Sequence, residues 1–172
     1  MKFAVKLFVF AAFFAMPVLF AAENGVSIMD YENAALAGDA KAQYNLAFCY
    51  LKGADVAQSD TEAFKWFMKS AEQGYPHAEC MVALCYTYGK GVKLDEKKAL
   101  EYFKKAAAKD IAEAYFNIGW FNERGKAGLA KDEDEAQKWY KKAADKEHGA
   151  AKEALTRLQQ AKEQQNNREM PY

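Results

Sequence analysis

Small and apolar residues recur along this chain at a helical spacing, and the spacing itself recurs. Ala63, Trp66, Phe67, Ser70 and Ala71 stand at i, i+3, i+4, i+7 and i+8. Ala99, Tyr102, Phe103, Ala106 and Ala107 repeat the series, as do Ala136, Trp139, Tyr140, Ala143 and Ala144. Such a period predicts one apolar stripe on an amphipathic helix. A first helix is predicted ahead of each stripe. In the first copy, Ala42, Leu46, Ala47, Cys49 and Tyr50 fall on one arc at about 100° per residue. Ala42, Ala78 and Ala114 are 36 residues apart, and so are Leu46, Val82 and Ile118, then Gly53, Gly89 and Gly125. For the second helices the last step is 37, which puts one extra residue between Gly125 and Asp132.

The residues between the stripes are helix punctuation. Gly53 tolerates the left-handed geometry of a helix C-terminus. Ser59 or Asp60 opens the second helix, with Glu62 placed to complete a capping box from Ser59. Asp95 and Asp132 repeat that role, and the run Asp132–Glu135 reads as helix capping, because it lacks the alternating oxygens and central glycine of a calcium loop. Gly74 closes the first of the second helices, and Pro76 starts the next helix where its missing amide costs nothing. A self-similar period of this length marks a stacked all-α repeat array, an α-solenoid of about three helix–turn–helix units with half-repeat caps. The units are expected at 39–74, 75–110 and 111–147, within a repeat domain spanning 39–158. A capping segment precedes them at 23–38, a half-unit follows at 148–158, and a polar tail closes the chain at 159–172.

The first 22 residues differ from the rest. Lys2 and Lys6 precede an uncharged apolar run, Leu7–Phe20, and then Ala21 and Ala22. That is the layout of a secretory signal peptide cut near Ala21 or Ala22, and the expected location is periplasmic or secreted. The apolar run is shorter than the roughly 20 residues a bilayer-spanning helix needs, and no later stretch is long and apolar enough. Removing Lys2 and Lys6 leaves 22 basic residues against 24 acidic, a net charge of −2, which draws the chain neither to nucleic acid nor to an anionic membrane.

The residues from Ala42 to Tyr50, with Gly53, Val56, Asp60, Ala63, Trp66, Ala71 and Gly74, resemble the Sel-1-like repeat. So does the second copy, where Gly89-Lys90-Gly91-Val92 precedes Asp95 and Ala99. The resemblance covers about residues 35–158. The pattern departs where Ala47 and Ala83 replace an expected glycine that Gly119 keeps, and where the third loop lacks the valine. The resemblance implies a right-handed α-solenoid that serves as an adaptor for protein or peptide partners. Some cysteine-rich secreted members are described as penicillin-binding or β-lactamase-like, which makes a hydrolase the alternative reading. Those members pair their cysteines at a regular spacing, and Cys49, Cys80 and Cys85 do not follow it.

No catalytic, metal-binding or cofactor-binding residue stands out. None of Ser27, Ser59 and Ser70 is followed three residues later by lysine, so the penicillin-binding Ser-x-x-Lys motif is absent. His77 and His148 read as helix-end or surface residues. Adjacent solenoid helices lie about 8 to 10 Å apart, and a disulfide needs Cα atoms within about 7 Å. Three thiols outside any disulfide are therefore expected, Cys49 and Cys85 buried and Cys80 the reactive one.

Opposite the inner arc of the first helices runs an apolar ladder: Phe48, Leu84 and Trp120, with Tyr44, Cys80 and Phe116 one turn earlier. Asn45 and Asn117 flank it. One reading makes Tyr44, Asn45, Phe48, Leu84, Phe116, Asn117 and Trp120 the partner-binding face, on the concave surface such folds use. The other packs the ladder between repeats, since a solenoid helix has neighbours on two sides. A monomer is expected.

Overall fold

A computed structural model describes residues 27–169. The leader expected over 1–22, its cleavage site and the last three residues lie outside the described residues. Those residues form helices joined by short loops, with no strand among them. Two compact units meet at Ala78, inside the helix α4 that runs over Pro76–Tyr88.

Unit 1 holds α1 (Ile28–Leu36), α2 (Ala40–Lys52) and α3 (Asp60–Glu72), with α2 packed against both others. A full capping box opens α1: Ser27 Oγ accepts from the Asp30 amide at 3.3 Å, and the Asp30 carboxylate accepts from the Ser27 amide at 2.9 Å. The box expected at Ser59 is only half formed. Ser59 Oγ accepts from the Glu62 amide at 3.2 Å, but Glu62 turns to Lys65 at 2.6 Å, because the Ser59 amide is already bound to the Tyr50 carbonyl at 2.9 Å. Ala35, Ala42 and Leu46 form the buried centre, with Ile28, Tyr31, Tyr50 and Trp66 packed on it. Ser70, where the other copies carry alanine, is fully buried and donates to the Ala40 carbonyl at 2.6 Å.

Unit 2 continues with the rest of α4, then α5 (Glu96–Ala108), α6 (Ala112–Arg124), α7 (Glu133–Ala144) and α8 (Gly149–Glu169). The α7 helix packs on both α6 and α8. The polar stretch from Gln159 stays helical, and its side chains through Arg168 are exposed.

One loop closure occurs in all three repeats. A glycine in the left-handed region ends the first helix, at Gly53 (φ +70°), Gly89 (φ +66°) and Gly125 (φ +61°). The N-cap amide of the second helix then bonds back to a first-helix carbonyl: Ser59 to Tyr50, Asp95 to Tyr86 and Asp132 to Asn122, at 2.9, 3.0 and 2.9 Å. The third loop closes the same way despite its extra residue. A Cβ on each glycine would approach the carbonyl oxygen of Val56, Val92 or Leu129, so Leu129 takes the place of the missing valine. The insertion is thus upstream of it: Ala127 (φ +56°) and Gly128 (φ +83°) are both left-handed, where the other loops have one such residue past the helix-ending glycine, Asp55 or Gly91. The Ala127 amide donates to Glu96 Oε2 at 3.2 Å, while Glu96 Oε1 holds Lys126 at 2.7 Å.

Gly119 answers to packing instead. A Cβ there would stand 2.7 and 2.8 Å from Cδ1 and Cε1 of Tyr140 and 3.2 Å from the Ala136 carbonyl oxygen. The ring of Tyr140 is buried, and its hydroxyl donates to Glu123 at 2.7 Å, so it has no room to retreat. Arg157 grips the same carboxylate with both terminal nitrogens, at 2.9 and 2.8 Å.

Two outcomes follow. Gly119→Ala should destabilise the chain by roughly 1 to 3 kcal/mol in a thermal or urea melt, the usual cost of overpacking; an unchanged melt would show that Tyr140 yields. Hydrogen bonds from Lys126 and then from the Ala127 amide hold the Glu96 carboxyl below its ordinary pKa. A depressed carboxylate contributes stability that is present above its unfolded value and lost as pH falls through its folded one. Glu96→Gln should therefore lower stability near neutral pH, by less than about 1 kcal/mol for so exposed a pair. The gap should close in acid below the carboxylate range, and a gap independent of pH would remove the charge from the account.

Candidate interaction surface

The first helices carry the ladder, and the structure separates its members by burial. Tyr44 and Phe48 lie inside unit 1, against Phe67 of α3 at ring-centroid distances of 5.7 and 5.1 Å. Tyr75, at 5.2 Å, closes over Tyr44. In unit 2, Phe116 is buried against Tyr140 of α7 at 5.5 Å and stacked on His148 at 4.8 Å. Leu84 is buried as well. Asn117 is buried and spent, since its amide donates to the carbonyl of Glu113 at 2.8 Å and to the Glu113 carboxylate at 3.1 Å. Asn45 and Trp120 are half-buried.

Trp120 thus differs from its counterparts Phe48 and Leu84. Its ring meets Phe121 edge-on at 5.5 Å, and the guanidinium of Arg124, one turn further along α6, lies 5.4 Å from the ring centre. Arg124 is exposed. A sequence reading centred on apolar positions passes over Arg124, although the i, i+4 spacing from Trp120 marks the pair.

Cys80 corrects an expectation. It occupies the ladder position of Tyr44 and Phe116 and is wholly buried, and burial pushes its thiol well above the ordinary range. It is therefore unreactive, not the reactive thiol expected. Cys49 and Cys85 are also buried, and no disulfide joins the three.

His148 has a partner that sequence spacing hid. Its Nδ1 accepts from the Ala151 amide at 3.2 Å, capping α8, and that leaves Nε2 to donate to Glu113 at 2.7 Å. Glu113 stands 35 residues earlier. The three serines are all in structural use, Ser27 and Ser59 at helix starts and Ser70 in the core.

Comparison with known proteins places this geometry. The model of the Sel1 repeat matches residues 40–75, 76–111 and 112–148, three consecutive units with the observed helix pairing. A Sel1 repeat protein from Oxalobacter formigenes superposes with a TM-score of 0.66 at 35% identity, over 74% of this chain and 96% of that one. A protective antigen of uropathogenic Escherichia coli strains, displaying the same fold, gives 0.67 at 36% identity over 70% of this chain and 26% of the antigen. Cysteine-rich protein B of Helicobacter pylori gives 0.56 at 26% identity, over 74% and 96% of the two chains. In sequence, the chain is 30% identical over 138 residues to the chitin synthase regulator SKT5 of Saccharomyces cerevisiae, spanning 79% of this chain but only 14% of that protein. The fold is accordingly the all-helical solenoid of these neighbours, and with three repeats matched over more than half its length the chain belongs to the Sel1 repeat family.

Proposed function

We propose that this Sel1 repeat scaffold binds a protein or peptide partner, in the periplasm or outside the cell, through a contact centred on Trp120 and Arg124. The observation that carries this reading is the half-exposed Trp120 beside an exposed guanidinium, where the equivalent Phe48 and Leu84 are buried. Tryptophan and arginine supply a disproportionate share of binding energy in protein interfaces. Together they suit a segment that presents an apolar side chain next to a carboxylate. The buried ladder residues then hold the helices in place, and Asn45 in unit 1 is a secondary polar contact. The charged, apolar and small-residue layout of the first 22 residues supports export. The regulator named among the relatives fits a role exercised by binding.

Arg124→Glu tests the site directly. Surface substitutions of this kind usually change stability by no more than about 0.5 kcal/mol, so the melt should stay near that of the parent. Partners captured from envelope extract by the parent should be lost with this variant and with Trp120→Ala. Capture of the same partners by both variants would remove Trp120 and Arg124 from the interface.

A further inference from the structure

The three helix-ending glycines define equivalent positions in the three loops, because a Cβ on Gly53, Gly89 or Gly125 would meet the backbone amide of Gln58, Leu94 or Lys131. The residues at that position behave differently. Gln58 folds back, and its amide donates to the Leu51 carbonyl at 3.0 Å. Leucine has no polar end to satisfy that carbonyl, and Leu94 stands out in solvent at 54% exposure, one of three large apolar side chains so exposed among the described residues. Its backbone is held: Asp95 bonds to Tyr86 at 3.0 Å, and Leu94 Cβ would lie 3.5 Å from a Cβ on Gly89. A rigid loop therefore presents an unburied leucine.

Charge gathers around it. Residues 89–98 hold Lys90, Lys93, Lys97 and Lys98, all exposed, against Asp95 and Glu96. Both acids are drawn into the fold. Asp95 caps α5 by accepting from the Lys98 amide at 3.0 Å while its other oxygen stands 4.0 Å from Lys98 Nζ, and Glu96 ties this loop to the next through Lys126 and the Ala127 amide. The acidic run at the start of α7 is compensated separately, by Glu133 with Lys131 at 2.7 Å, Asp134 with Lys162 at 2.5 Å and Glu135 with Lys138 at 2.9 Å. In repeat 1 the matching stretch, 53–62, carries Asp55, Asp60 and Glu62 and no basic residue. The sign of the loop therefore reverses between repeats in a chain whose formal net charge is zero.

We propose that the loop edge around Leu94 docks peripherally on an anionic phospholipid surface, with Leu94 entering the headgroup boundary and Lys93 and Lys97 facing lipid phosphates. A protein interface needs a contiguous apolar centre, and here Val92 and Leu129 are half-buried, which leaves Leu94 as an isolated tip. A fluid lipid boundary accepts one inserted side chain flanked by lysines. The net charge of the whole chain hides this edge because the opposing acids lie elsewhere. Neither Trp120 nor Arg124 belongs to this edge.

The test is co-sedimentation with phosphatidylcholine vesicles, with and without phosphatidylglycerol. The chain is used without residues 1–22, so that the apolar stretch Leu7–Phe20 does not bind lipid itself; the described fold begins at Ser27. Pelleting should require phosphatidylglycerol and fade at high salt, since screening shortens the reach of surface charge. Lys93→Glu with Lys97→Glu should cut binding by roughly tenfold or more. Leu94→Gln, the residue repeat 1 tolerates at this position, should cut it several-fold while the melt stays unchanged. No pelleting on anionic vesicles, equal pelleting on both kinds, or full binding by Leu94→Gln would overturn the proposal. Retention on immobilised polyglutamate without vesicle binding would also overturn it, and would assign the edge to an acidic polypeptide.

Discussion

Each repeat depends on one closure: a second helix must turn back onto the first within a few residues, without stranding a backbone amide. The left-handed glycine reverses the chain, and the N-cap residue is then held twice. Its amide reaches back to Tyr50, Tyr86 or Asn122, and the side chains of Ser59, Asp95 and Asp132 accept from the amides of Glu62, Lys98 and Glu135. The two helices meet at an angle that lays Phe67, Phe103 or Tyr140 inside the fold. The aromatic core, the loop edges and the exposed faces are set by that geometry.

From one repeat to the next the chain varies chemistry on a constant frame. Gln73 donates to Gln43 at 2.8 Å in unit 1. The corresponding positions in unit 2 carry Lys109 and Glu79, an ion pair of 2.6 Å. In the last repeat the positions are Lys146 and Tyr115, which do not complement each other, and Asp110 mediates by pairing with Lys146 and accepting from the Tyr115 hydroxyl at 3.0 Å. The same contact is thus made by an amide pair, by an ion pair and by a three-residue relay. Surface charge can diverge between repeats without disturbing the core.

The helices were legible in the sequence because a period of 36 residues repeats local instructions: stripe, glycine, cap. Which ladder residues the fold buries was not, and the reason is geometric. A helical wheel drawn around Ala42 assumes one buried side, whereas α2 packs between two helices, and Tyr44 and Phe48 point into its second interface. The same error exposed Cys80 on the wheel, where packing buries it. Contacts between distant residues, such as His148 with Glu113 or Arg157 with Glu123, have no signature in spacing at all. Even the capping box at Ser59 failed because a tertiary acceptor, the Tyr50 carbonyl, had claimed its amide.

The longer third loop carries a consequence for how such a chain can grow. The Ala127 amide takes as its acceptor Glu96, from the repeat before. Asp60 and Glu133 hold the corresponding places, the first one methylene shorter and the second already engaged by Lys131 at 2.7 Å. The repeats are therefore not interchangeable beads. Duplicating or shuffling the third repeat would leave its loop amide without its carboxylate, so the order of the repeats is written into a single side chain of the preceding one.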